Sequence, residues 1–398
     1  MNMFDYLEAV KGETIYDLDL TALDLLLLAE LDYIEFDDQV EADFDRYHSR
    51  RLDQVAAKLD HLTPNPSMSK EHLRLLKEMS QSLRFQSCKV MGYVNDIDLE
   101  VEKQFSATTF KLKPDTYVVA FRGTDDSIIG WKEDFHMTYM SQIPAQATAK
   151  NYLQGMLEEL PGQVYVTGHS KGGNLAIFAA SQLQSDLQER ISLITSFDGP
   201  GLHQTVIASD GYQAISHKIE RYIPQGSIVG MMLEIPETAQ IVSSSRINEI
   251  SQHNPFYWQI EDTHFLLADK LSANSLQTDK TLKTWLETVS DKEKKDFFDL
   301  FFGLILDANI HSISGFFEGD SLQLLSNLLT NAKNMNSQDK DMLKRILALF
   351  IDLRIQYFKE ELPSFTDFFQ KTDEKIKESW ANLVKDSEIK RLYNFCSG

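Results

Sequence analysis

Apolar and polar positions follow two different periods along this chain, and the places where the period changes divide it. From residue 1 to about 87, apolar residues recur at helical spacing. Asp19 or Thr21 can cap a helix over 23–31, whose apolar face Tyr33, Ile34 and Phe36 extend. The leucine run 25–28 reads as core packing, with a partner-binding helix as the alternative. Residues 63–67, Thr-Pro-Asn-Pro-Ser, form a loop, and another helix starts around Ser69-Lys-Glu-His72.

From about Cys88 the pattern changes to that of strands. It predicts strands over 88–94, 105–112 and 116–121, with Lys113-Pro-Asp115 turning between the last two. A helix is expected over 145–160, started by Pro144 and stopped by Pro161-Gly162. Strands over 164–167, 191–197, 219–223 and 239–244 follow, separated by helical segments. This alternation predicts an α/β fold, a mostly parallel sheet with helices on both faces and functional groups at the carboxyl ends of its strands. Beyond about Leu271 the strand patterns stop. Ser290-Asp-Lys-Glu293 is a capping box opening a helix with Phe297, Phe298, Phe301 and Phe302, and a second helix is expected over 338–360. The phenylalanines read as a satellite core, with an acyl pocket or a partner face as alternatives. The expected organisation is an N-terminal helical segment over 1–87, an α/β core over 88–270 and a C-terminal helical appendage over 271–398.

Composition narrows the function classes. The 398 residues include 60 acidic and 39 basic ones, a formal charge of −21. That balance argues against nucleic-acid binding and against adsorption to anionic lipid through a basic surface. The two cysteines, Cys88 and Cys396, give neither a disulfide framework nor a metal-ligand spacing. The leucine-rich stretch 20–31 is short and carries Asp24 and Glu30, so no stable membrane insertion is expected. Residues 1–13 lack a basic n-region followed by an apolar run, which points to a cytoplasmic protein.

The chemistry centres on Val164-Tyr-Val-Thr-Gly-His-Ser-Lys-Gly-Gly-Asn174, where a buried strand runs through Gly168-His169-Ser170-Lys171-Gly172 into an apolar helix. Strand, sharp turn and helix are the context in which Gly-x-Ser-x-Gly holds a nucleophile, here Ser170. A serine needs a base, and the base needs an acid that fixes its tautomer. In the elbow-bearing fold these follow the serine in the order acid, histidine. Asp198 ends the predicted strand 191–197 and opens a Gly-Pro-Gly loop; Glu234, Glu237 and Glu249 compete with it. For the base, His253 in the polar loop Ser251-Gln-His-Asn-Pro-Phe256 is favoured over His264, with His203, His217 and His311 further behind. An oxyanion requires two backbone N–H donors. Lys171, directly after the serine, offers one, and the strand-end segment Phe121-Arg-Gly-Thr124 offers the second.

Phe121-Arg-Gly-Thr124, Trp131, Asp134 and Thr167-Gly-His-Ser-Lys-Gly-Gly173 resemble the class 3 (fungal-type) lipases of the α/β-hydrolase superfamily. Together with Ser196-Phe-Asp-Gly-Pro-Gly201, Tyr222-Ile-Pro-Gln-Gly-Ser-Ile-Val229 and Gln252-His-Asn-Pro-Phe256, they resemble a lipase-like family of Gram-positive bacteria. The likeness covers roughly residues 15–265. It implies an α/β-hydrolase fold with Ser170 as nucleophile, His253 as base, and Thr124 and Lys171 as oxyanion donors. Two departures stand out. Class 3 lipases carry an apolar residue where Lys171 stands, and they take their acid from a strand further on, where this chain has Pro224-Gln-Gly-Ser-Ile228 and no carboxylate. The expected activity is cleavage of a lipid or small acyl ester through an acyl-enzyme, with no metal or organic cofactor. The alternative is a weakly active or inactive binding protein on the same scaffold.

Overall fold

The computed structural model describes residues 1–45, 47–59, 61–65, 68–98, 100–125, 127–307 and 336–361. Eight strands form one sheet in chain order: β1 (Arg50–Arg51), β2 (Lys89–Asp98), β3 (Lys103–Lys113), β4 (Thr116–Phe121), β5 (Gln163–His169), β6 (Ile191–Phe197), β7 (Ile219–Pro224) and β8 (Gln240–Val242). From β1 to β4 neighbours are antiparallel, because no long crossover separates β2, β3 and β4. From β4 to β8 all pairs are parallel.

Helices named here are α1 (Met3–Val10), α2 (Ala22–Leu31), α3 (Leu52–Ala56), α4 (Lys70–Gln81), α5 (Ile128–His136), α6 (Pro144–Glu159) and α7 (Lys171–Ser181). Parallel strands laid down in sequence order with right-handed crossovers put their connecting helices on one face of a sheet. Accordingly α6 and α7 share a core with Tyr117, Val119, Phe121, Val164 and Val166. The alternate residues Val118 and Ala120, with Phe197, point to the other face, which α1, α2 and α4 cover. The N-terminal helices thus supply the second layer that the crossover helices cannot.

Thr21 caps α2: its hydroxyl accepts from Asp24 N at 3.3 Å, while Asp24 Oδ2 accepts from Thr21 N at 2.9 Å. The residues Leu25, Leu26, Leu27 and Leu28 are all buried in the core. Asp24, which interrupts the apolar pattern, is buried against Arg84 in a two-pronged ion pair.

Several short elements escape the sequence pattern. They include the two-residue β1, α5, the helices Gln204–Ile207 and Asp210–Ile215, and the hairpin of β9 (Ile260–Glu261) with β10 (His264–Phe265). Each is under ten residues, too short for a periodic signal.

The chain divides into two compact units, the first spanning Met1–Asp279 and the second beginning at Lys280. In the second, Ser290 and Glu293 form the expected capping box of helix Asp291–Asp307. Trp285, Phe297 and Phe298 pack edge to face there, with centroids 5.3–6.0 Å apart. Helix Ser337–Glu361 adds buried Leu343 and Ile346. These phenylalanines belong to an aromatic core of their own unit. Among the described residues, no helix is long and apolar enough to cross a membrane. His311 and Cys396 lie outside the described residues.

Candidate active site

Strand β5 runs into α7 through a single residue. Ser170 has φ 55° and ψ −131°, a backbone conformation L-residues avoid, and its amide is fixed by a 2.9 Å bond to Phe197 O at the end of β6. The motif glycines allow the surrounding backbone to close. A Cβ on Gly168 would lie 2.2 Å from Gly172 C, and one on Gly172 only 1.9 Å from Phe121 O. Strand, helix and the neighbouring strand β4 therefore meet at van der Waals distance beneath the serine. Ser170 is largely buried, and its hydroxyl has no hydrogen-bond partner among the described residues.

Asp198 follows β6 directly and is fully buried, also at positive φ (47°). Its Oδ2 lies 2.6 Å from His253 Nδ1. Its Oδ1 accepts from the Ser227 hydroxyl and from Gly230 N at 3.1 Å. The segment without a carboxylate, 224–228, thus contributes a donor to the carboxylate on the neighbouring strand. Arg221, on β7, is buried nearby; burial lowers its pKa to about 10, with the Asp198 charge pulling the other way.

His253 sits between helix Glu249–Gln252 and the short 3-10 turn Pro255–Tyr257, with its side chain 23% exposed. The Trp258 indole donates to Gln252 O at 2.8 Å, and Gln252 Oε1 accepts from Gly226 N at 2.8 Å. The other candidates stand elsewhere. His264 is exposed on β10 with Nδ1 3.2 Å from the Thr263 hydroxyl, and His203 caps helix Gln204–Ile207. His217 lies in the 3-10 turn Ser216–Lys218. Glu234 is exposed, Glu249 begins its short helix, and a buried Glu237 oxygen has no partner.

On the β4 side, Gly123 lies against the elbow: a Cβ there would come 3.0 Å from Ser170 Cβ. The Thr124 hydroxyl donates to Asp134 Oδ2 at 2.6 Å, fixing the loop after β4 to α5. Lys171 is buried, an unusual place for an ammonium. Its Nζ donates to Glu133 Oε2 and Gln104 O, both at 2.9 Å, and stands 3.9 Å from Asp134 Oδ1. Glu133 is itself satisfied by Gln104 N and Ala145 N, each at 3.0 Å. The lysine is therefore one half of a buried ion pair joining α7 to α5. Burial pushes the Asp134 carboxyl up to about 7, with the Lys171 charge and the Thr124 hydroxyl pulling it down. An apolar cleft opens beside Ser170, lined by Trp131, Phe135, Met137, Val229, Met232 and Leu233.

Glu133, Ser227, Glu30 and His169 complete these surroundings without announcing themselves in sequence. Their partners lie 12 to 139 positions away, and no local spacing marks these pairings.

The sheet, the one-residue elbow and the carboxylate at the end of the next strand define an α/β-hydrolase fold. Within it the chain belongs to the Mbeg1-like family, whose sequence profile matches residues 79–303. Among solved structures it is similar to the M37 lipase, at 20% identity and TM-score 0.35 over 54% of this chain and 71% of that one. It is also similar to the lipase of Rhizopus microsporus var. chinensis (16%, TM-score 0.34, 65% and 84% covered). A third is a variant of MDLA from Penicillium cyclopium (13%, TM-score 0.36, 63% and 88% covered). No curated protein matches the chain significantly by sequence.

Proposed function

We propose that the protein is a serine hydrolase that cleaves carboxylic esters, of lipids or small acyl compounds, through an acyl-enzyme. The observation that carries this reading is the 2.6 Å contact between Asp198 and His253 beside a serine held on a one-residue elbow. Asp198 keeps the proton on Nδ1, which leaves Nε2 as the nitrogen that can accept the Ser170 proton. Ser170 Oγ attacks the ester carbonyl as His253 takes its proton; the tetrahedral oxyanion then collapses, expelling the alcohol with that proton. Water repeats the sequence on the acyl-enzyme and releases the acid.

The oxyanion is assigned to the N–H groups of Thr124 and Lys171. The latter opens α7, where helical amides lack partners and the helix dipole favours negative charge. The Thr124–Asp134 bond supports this by holding the first donor's loop in place. The apolar lining of the cleft suits the acyl part of an ester, and the solved structures to which the chain is similar include lipases.

The free Ser170 hydroxyl is the observation that favours the second reading, a binding protein on a hydrolase scaffold. Labelling with a fluorophosphonate, followed by mapping of the modified residue, separates the two. Ser170 is expected to carry the label and Ser170→Ala to abolish both labelling and ester cleavage. Labelling elsewhere would overturn the assignment of Ser170, and no turnover across a broad ester panel would favour the scaffold reading instead.

A further inference from the structure

His169 fills the second position of Gly-x-Ser-x-Gly, and the reaction above gives it no role. Its ring is buried and packs beside that of His253, with centroids 4.7 Å apart and planes at 35°. Nε2 lies 2.9 Å from the backbone oxygen of His253. A carbonyl only accepts, so Nε2 must carry a proton. On the other side, Nδ1 is 3.4 Å from the Tyr33 hydroxyl and 3.0 Å from Glu30 Oε1, the latter off the N–H axis.

Glu30 comes from α2, in the layer the N-terminal helices lay over the sheet. Its second oxygen lies 3.1 Å from His72 Nε2. His72 Nδ1 accepts from Ser69 N at 2.9 Å, so Nε2 is the nitrogen of His72 that donates. Burial alone would raise the Glu30 pKa, yet the two imidazoles bring it down to about 2. Burial likewise opposes the His169 cation, but Glu30, Asp198 and the His253 carbonyl together raise its pKa. The site thus holds two carboxylate–imidazole pairs side by side, Asp198 with His253 and Glu30 with His169.

We propose that His169 is a positioning residue whose Nε2–H holds the main chain of His253 in place for catalysis, with Glu30 of α2 standing against its Nδ1 side. The inference rests on the hydrolase reading for its kinetic consequence, and on geometry alone for the tether. The tether also links the N-terminal helices to the site, because Glu30 of α2 stands 3.0 Å from the ring that grips the base.

Two substitutions split the ring's contacts. His169→Gln places an N–H near the position of Nε2 and keeps the bond to His253 O, while giving up the Glu30 side. His169→Asn places its amide near Nδ1, keeps the Tyr33 and Glu30 side, and cannot reach His253. Turnover of p-nitrophenyl butyrate, thermal melting and hydrogen exchange over 249–254 are to be measured for both and for wild type. We expect kcat about 10-fold lower in H169N with KM within about twofold, faster exchange over 249–254, and both quantities near wild type in H169Q. A merely structural role predicts the reverse order, with H169N the milder change. Equal exchange in the two variants, or equal kcat beside an active wild type, overturns the proposal. An exchange split with a wild type that turns over no ester supports the tether and overturns the hydrolase reading. If neither variant folds, nitrogen-15 spectra of the wild-type imidazoles decide: an unprotonated Nε2 on His169 overturns the proposal.

Discussion

Asp198 Oδ2 lies 2.6 Å from Nδ1 of His253, 55 positions further along the chain, while Asp198 Oδ1 is occupied by Ser227 and Gly230. Both oxygens are thus engaged, and the carboxylate has one orientation available. Asp198→Asn would put an amide where an acceptor is needed and favour the wrong tautomer of His253. We expect kcat for ester cleavage to fall about 10⁴-fold, with Glu234→Gln and Glu237→Gln leaving it unchanged.

Ser227→Ala removes one of the two donors on Oδ1 and nothing that touches substrate. It should lower kcat by roughly 10-fold with little change in KM, because a carboxylate held less firmly orients the imidazole less well. Steady-state kinetics on a soluble ester would read the split.

The Ser170 backbone stores strain that only the reaction requires. Ser170→Gly relieves the positive φ, so it should stabilise the protein by about 1 kcal/mol while abolishing turnover. Ser170→Ala keeps the strain and should stay within about 0.5 kcal/mol of wild type. Urea unfolding of the three proteins tests the difference.

Lys171 invites replacement by an apolar residue, since it is buried at the start of α7. Lys171→Leu would instead leave the Glu133 carboxylate buried without its cation. The expected cost is about 3–5 kcal/mol in urea unfolding. A neutral or stabilising result would show that the Lys171–Glu133 pair contributes nothing net.

Asp32 gives a pH dependence of stability with a definite sign. Burial pushes its pKa from 3.8 up to about 8, against the Thr108 hydroxyl and the Arg122 guanidinium. Between those values the folded protein holds a proton that the unfolded chain has released. Stability from this group therefore falls as pH rises from about 4 to 8, by at most about 1.4 kcal/mol per pH unit. Asp32→Asn has no proton to lose and should flatten that slope in denaturation curves taken across the window.

Local patterns determined much of this protein. Short apolar, β-branched runs marked β2 to β8, because buried strands carry such residues whatever their neighbours. The glycines two before and two after Ser170 marked the elbow, since only they permit the contacts beneath it. Asp198 and His253 were legible as candidates from chain order and loop position. That they meet was decided by tertiary structure, because their contact joins the end of β6 to a loop beyond β8. The same holds for Lys171, whose charge reads as a departure until Glu133 arrives from α5. It holds most for Glu30, which looks in sequence like an interruption of a leucine helix. Only the packing of α2 against β5 brings it to His169, 139 positions away, and so to the backbone of His253.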